Sequence, residues 1–228
     1  MALSTTDLGG GGNNLPKTIN PGNHTLKINS IELEDFRFIE NAKHLIIHVE
    51  TKPIEGFEGF AIDKDNPEAG NYKGQIGRVK ASQYAYADGE TKSGIKIQRD
   101  KSIMMFLQNF CKTLGLTEWF IAQDRMHETI EDFINEFNKT APFKDKYLEF
   151  CIAGKEYMNK SGYINYDMWL PKAENGKYAL ANESDRVIAY SEPKHLKKLE
   201  VTEVKSFGDD DEFALPKKKG SSTDFSLD

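Results

Sequence analysis

The spacing of apolar residues changes period twice along this chain, and that double switch restricts the folds open to it. From His24 the pattern is that of strands. His24 to Leu33 alternates, with Leu26 and Ile28 apolar and then Ile31 and Leu33, so the parity slips once. One such slip between two alternating halves marks a β-bulge in a strongly bent strand. His44 to Thr51 is a second β-rich run, Gly56 to Ile62 a third, and Gly74 to Tyr86 a long fourth. Between residues 102 and 138 the period becomes helical. Ile103, Met104, Phe106, Leu107, Phe110, Cys111 and Leu114 form one block that stops at Gly115. Ile130, Phe133, Ile134 and Phe137 form a second stripe, with Thr129 placed to cap it and Asp132 three residues on. After Pro142 the strand pattern returns, at Tyr147 to Ala153 and at Tyr157 to Leu170 around Asn159-Lys160-Ser161-Gly162. A weaker run, Arg186 to Tyr190, comes last.

Strands, then helices, then strands predict a mainly β fold with a helical insertion, an α+β chain. Short strands with glycine bends, interrupted by helix before the closing strands, suit a small closed barrel. An OB-like five-stranded barrel is the expected architecture, because that fold commonly carries a helix between its third and fourth strands. A β-sandwich or jelly roll is the alternative, and periodicity alone does not separate the two. The expected organisation is a flexible N-terminal arm over residues 1–21, an OB-like domain over 22–200 with its helical insertion at about 101–140, and a disordered acidic C-terminal tail over 201–228.

The tail joins Asp209-Asp210-Asp211-Glu212-Phe213 to Lys217-Lys218-Lys219 and closes on Asp224-Phe225-Ser226-Leu227-Asp228. Acid clusters edged by an aromatic and spaced by Pro, Gly, Ser and Lys cannot bury enough apolar surface to fold. They offer negative charge plus one or two hydrophobic anchors. That chemistry suits docking in a basic pocket of a partner, or competition for a basic groove on the same molecule. The net charge is −6, but from Phe207 onward six acids face three lysines, so the body is nearly balanced and has room for a local positive face. Cys111 and Cys151 sit in apolar surroundings without a CxxC or Cys/His cluster, which predicts free buried thiols in a reducing compartment. No apolar run reaches the roughly 18 residues of a membrane span, and the first residues lack the basic and apolar regions of a secretion signal. A cytoplasmic protein without membrane association is expected.

Between Tyr72 and Lys101, seven bases (Lys73, Arg78, Lys80, Lys92, Lys96, Arg99 and Lys101) meet three acids (Asp88, Glu90 and Asp100). On a continuous strand Arg78, Lys80, Tyr84 and Tyr86 share parity, so one sheet face would present two cations beside two rings. Cations track phosphates while rings stack on unpaired bases, at about 1–3 kcal/mol per base. The same residues would equally make an ordinary amphipathic strand with solvated charges and half-buried tyrosines. A second aromatic set is Tyr157, Tyr163, Tyr166 and Trp169. Lys160 and Tyr163 flank the Ser161-Gly162 turn and read as an exposed loop tip, whereas Trp169, beside Leu170-Pro171, reads as core. Enzymatic signals are poor, and no cofactor or metal is expected. The histidines are scattered, and His44 and His48 would stand about 13 Å apart along a strand, too far to share a metal. Asp63-Lys64-Asp65-Asn66 lacks the Gly and distal Glu of a calcium loop, and no nucleophile elbow or phosphate-loop lysine appears.

The opening Pro21-Gly22-Asn23-His24-Thr25-Leu26-Lys27-Ile28, the run Leu45-Ile46-Ile47-His48-Val49-Glu50 and the glycine-edged Gly56-Phe57-Glu58-Gly59 resemble small phage-encoded replication or recombination proteins. The layout as a whole, an OB-like body with an acidic, aromatic-bearing arm, is similar to phage and bacterial single-stranded DNA-binding proteins. In the bacterial proteins the acidic run ends at a terminal Phe, whereas here Phe213 and Phe225 are both internal. The resemblance implies a non-enzymatic protein, in the host cytoplasm, that coats single-stranded DNA during phage replication or recombination and can form homo-oligomers. Lys73, Arg78, Lys80, Lys96, Arg99, Lys101 and Lys160 would neutralise phosphates, and Tyr84, Tyr86 and Tyr163 would stack bases. Asp209, Asp210, Asp211, Glu212, Phe213, Asp224 and Phe225 would dock replication or recombination proteins and compete for the DNA groove. The alternative is a β-rich, non-enzymatic interaction or virion module whose arm only tethers or solubilises.

Overall fold

A computed structural model describes residues 17–200; the acidic arm lies outside the described residues. Five strands form a closed ring, β1 (Gly22–Asp35), β2 (Lys43–Thr51), β3 (Ile76–Lys80), β4 (Tyr147–Met158) and β5 (Ile164–Trp169). Their order is β1-β2-β3-β5-β4, and β4 pairs back onto β1. Every contact around the ring is antiparallel except β3 with β5, which run parallel. Pairing therefore passes around one ring instead of dividing the strands between two facing sheets. Three helices, α1 (Arg99–Thr113), α2 (Thr117–Ala122) and α3 (Ile130–Thr140), fill the interval between β3 and β4. The mainly β, α+β expectation is met.

The parity slip in β1 is the corner of the ring. The register shifts between Ile28 and Ser30, and the buried residues change from Leu26 and Ile28 before it to Ile31 after it. Residues 22–27 pair with β4, while β2 follows the strand out to Asp35. Beyond Lys27 the edge facing β4 has lost its strand partner, and buried main-chain groups need one. Asn138 of α3 supplies it: the Ile31 N–H donates to Asn138 Oδ1 at 2.9 Å, and Asn138 Nδ2 donates to the Ile31 carbonyl at 2.7 Å. A second buried polar device fixes the excursion between β2 and β3. Glu50, almost wholly buried, accepts from the N–H groups of Lys73 (3.0 Å) and Gly74 (3.2 Å) and pairs with Lys27 at 3.1 Å.

The helices form as their stripes predict. Ile103, Leu107, Phe110 and Cys111 of α1 and Ile130, Phe133, Ile134 and Phe137 of α3 are buried in one cluster with the ring residues Leu26, Ile31, Leu45, Ile47 and Val79. Thr129 Oγ1 accepts from the Asp132 N–H at 3.1 Å, the expected cap. Full burial of rings such as Phe110 and Phe137 stabilises by about 1.5–3 kcal/mol each. The short α2 was not among the expected elements. It seats Trp119 edge-on against Phe133 and Phe137, so its place is set by aromatic packing with α3.

Four expectations need correction. Arg186 to Tyr190 is not a strand and makes only an isolated bridge, Val187 with Tyr178. Gly74 to Tyr86 is not one long strand: β3 ends at Lys80 and the chain bends over residues 81–84. The run from Gly56 to Ile62 contributes only Phe60–Ala61, paired with Asn71–Tyr72 in a small ribbon. Residues 17–21, expected in a flexible arm, instead lie on the ring. The Ile76 N–H donates to the Lys17 carbonyl and the Ile19 N–H to the Ile76 carbonyl, both at 2.9 Å, and Ile19 is buried. Glycine makes that crossing possible, since a Cβ at Gly77 would run into Ile19 and one at Gly154 into Pro21.

The segment after β5 folds back over β4. Leu180–Ala181 and Leu196–Lys197 each add a short pairing to β4. Asn23 holds the fold-back in place, donating from Nδ2 to the Ile188 carbonyl at 2.8 Å and accepting from the Tyr190 N–H at 2.7 Å. No helix among the described residues is long and apolar enough to cross a membrane.

Candidate nucleic-acid interface

The sheet surface that the basic segment was expected to present is a surface of matched charges. Arg78 lies 2.8 Å from Glu34 and 3.4 Å from Glu32, both on β1, and His48 of β2 sits 3.0 Å from Glu32. Burial alone would raise the Glu32 carboxyl. The hydrogen bond and charge of His48, with Arg78 beyond it, outweigh that and hold it below the usual carboxylate range. Lys80 reaches Asp167 of β5 at 2.7 Å. The two tyrosines part company with these cations because the strand ends before them. Tyr86 bridges back to Lys43 and packs on the core, where burial pushes its hydroxyl up to about 12. Tyr84 stands out from the bend, 68 % exposed. The expected shared face of two cations and two rings is therefore not formed.

The other expected residues are dispersed. Lys73 donates through Nζ to the Glu58 carbonyl at 2.7 Å in the ribbon region. Arg99 is held at the start of α1 by Asp100 (2.6 Å) and the Asn41 carbonyl (3.0 Å). Lys96 and Lys101 are exposed, the former on a two-residue ribbon strand with Gly89–Glu90. Lys160 and Tyr163 occupy the exposed tip of the β4–β5 hairpin, as expected, where Asn159 Oδ1 accepts from the N–H groups of Ser161 and Tyr163. The partner-docking set, Asp209 to Phe213 with Asp224 and Phe225, lies outside the described residues.

A different surface brings cations and rings together. A cleft of about 810 Å³ opens between α1, the end of β5 and the fold-back segment 171–197. Lys112, Lys172, Arg186, Lys194 and Lys197 line it, against one carboxylate, Glu174. Lys112 and Lys172 have no carboxylate partner among the described residues, whereas Arg186 pairs with Glu183 at 3.1 Å. The aromatic rings lining the cleft are Tyr84, Phe106, the deeply buried Phe110, Trp169 and Tyr178. Trp169 is core, as expected, yet its ring floors the cleft with Lys197 Nζ 5.7 Å from its centroid. Tyr178, 55 % exposed, offers its ring from the fold-back.

Sequence reasoning found Tyr84 and missed the rest of this cleft. The visible trace was the short basic run Lys194-His195-Leu196-Lys197-Lys198; the remaining walls come together through long-range contacts, the bonds of Asn23 and the pairings of the fold-back with β4. The two thiols are buried and unbonded, with burial pushing Cys111 up to about 12 and Cys151 to about 11. No group of three or more His, Cys, Asp or Glu residues among those described could hold a metal ion. No family model, curated protein or solved structure matches this chain.

Proposed function

We propose that this is a single-stranded DNA-binding protein of phage type, acting in replication or recombination, and that the cleft beside β5 grips the strand. One observation carries the reading: five cationic side chains and five aromatic rings line a cleft whose lining has a single carboxylate. Excess cations attract a phosphate chain, and aromatic rings stack on unpaired bases whatever their sequence. The frame agrees with it. A closed five-strand ring in the order β1-β2-β3-β5-β4, with helices inserted between β3 and β4, supports reading the fold as OB-like, a class that hosts oligonucleotide binding. The exposed hairpin tip at Lys160 and Tyr163 extends the same surface chemistry beyond the cleft. In this reading the arm from Asp209 to Asp228 recruits partner proteins and, as a chain of carboxylates, competes with phosphate for the cleft.

Fluorescence anisotropy with labelled oligo-dT and with duplex of equal length tests it. The expected result is tighter binding of the single strand, with log K falling against log salt by about 0.7 for each phosphate engaged. Equal binding of both forms, or of neither, overturns the reading. A chain ending at Ser206 is expected to bind oligo-dT more tightly than the full chain, and equal affinity would remove the competing role of the arm.

A further inference from the structure

Glu174 is out of place in a cleft for phosphates, and it stands at a tight turn. It opens a two-residue turn in which Asn175 and Gly176 both have positive φ, 49° and 76°, the geometry that an Asn-Gly pair favours. The turn is closed by the Glu174 N–H donating to the Lys177 carbonyl at 3.0 Å and the Lys177 N–H donating to the Glu174 carbonyl at 2.8 Å. Beside it His195 is buried, 4 % exposed, and its Nδ1 accepts from the Ser191 N–H at 2.9 Å. A ring nitrogen that accepts is bare, so the neutral ring carries its proton on Nε2. That Nε2 has no hydrogen-bond partner; Oε1 of Glu174 stands 3.5 Å away, too far for a well-formed bond. Lys194 Nζ lies 3.5 Å from the other oxygen, Oε2.

A carboxylate here weakens the attraction for every phosphate, so the cleft would hold a bare backbone better without it. What it adds is a pair of acceptors, each 3.5 Å from a nitrogen of Lys194 or His195. Among the four bases, guanine alone sets two donors side by side on its Watson–Crick edge, N1–H and the N2 amine, with the O6 acceptor next to them. A carboxylate meets two parallel N–H donors as a fork, the stronger kind of hydrogen bond. Cytosine and adenine offer one amine each, and thymine offers one N–H between two carbonyls that a carboxylate repels. The exposed rings of Tyr178 and Tyr84 in the same cleft supply a stacking surface.

We propose that the cleft reads guanine in a single strand: Glu174, which stands beside the enclosed Nε2–H of His195, accepts from N1–H and the N2 amine. This rests on the single-strand reading above and adds base selectivity to it.

The test is an anisotropy titration of the full chain with an oligo-dT of about 15 nucleotides carrying one central dG, deoxyinosine, dA or dC. The dG strand is expected to bind about tenfold tighter than plain oligo-dT, within the range of a good bidentate base contact. Deoxyinosine keeps N1–H and O6 but lacks the N2 amine, and should fall between dG and dT; dA and dC should match dT. Glu174→Gln places a donor against the guanine donors and should bring the dG-to-dT ratio close to one. Strand binding that is equal for all four inserts overturns this inference and leaves the single-strand reading intact. A dG preference that survives Glu174→Gln overturns the assignment to Glu174. Failure to bind any strand sinks both readings together. The comparison of dG with deoxyinosine needs only the unmutated protein, so the proposal stays falsifiable if a variant does not fold.

Discussion

The outer face of β1, β2, β3 and β5 and the cleft beside β5 hold similar side chains to different effect. On the strand face Arg78, His48 and Lys80 each meet a carboxylate on another strand of the ring, so the field they present is largely cancelled. In the cleft, Lys112, Lys172 and Lys197 have no carboxylate partner among the described residues, and rings stand among them. A sheet brings residues far apart in sequence into cross-strand pairs, and a charge cluster counted along the chain is blind to those partners. Local base content therefore says little about a binding face until the opposing strands are known.

Changing Lys112, Lys172 and Lys197 together to Glu should break the contrast most severely. Oligo-dT binding is expected to be lost at moderate salt, and any residual binding should show a salt slope shallower by about 2, three phosphates at about 0.7 each. A wild-type salt slope in the triple variant would put the strand elsewhere. The neighbouring tyrosines come next, because they separate the two regions at one point in the sequence. Tyr86→Ala should cost about 2–3 kcal/mol of stability in denaturant unfolding, since it empties a site packed on the core. Tyr84→Ala and Tyr178→Ala should each cost about 1–3 kcal/mol of strand affinity with little change in the unfolding midpoint. If Tyr84→Ala unfolded the protein while sparing affinity, the assignment of the two rings would be reversed. Arg78→Ala should have the smallest effect, less than about 1 kcal/mol in either assay, because an exposed ion pair contributes little. A large loss of affinity in that variant would restore the strand face as the binding surface.

Much of the ring was legible from local pattern. The bulge in β1 was written in the parity change from Leu26 and Ile28 to Ile31 and Leu33, and the helices in stripes that Thr129 and Gly115 bound. Local pattern failed where a distant contact overrode it. Alternation ran on smoothly through Ala81 to Tyr86, yet the strand stops at Lys80, where the Leu170 N–H takes the Lys80 carbonyl at 2.9 Å and the chain turns away. Ile19 looked like part of a loose lead-in because only Gly77, nearly sixty residues later, leaves room for it. The cleft was hidden for the same reason. Its far wall depends on Asn23 reaching Ile188 across 165 positions of sequence, a bond that no spacing rule encodes. Trp169 was read correctly as core but its second role, as the floor under Lys197, needed the fold-back to be in place.

The pair of hydrogen bonds between Asn138 and the Ile31 backbone also limits how the molecule can be shortened. Excising residues 99–140 to obtain a minimal ring would strip both main-chain partners from the sharpest corner of β1, and with them the hydrophobic lid that α1 and α3 lay over the interior. The helices are a keystone of the ring, and a trimmed version would have to find another group, of the same reach and with both a donor and an acceptor, to keep that corner closed.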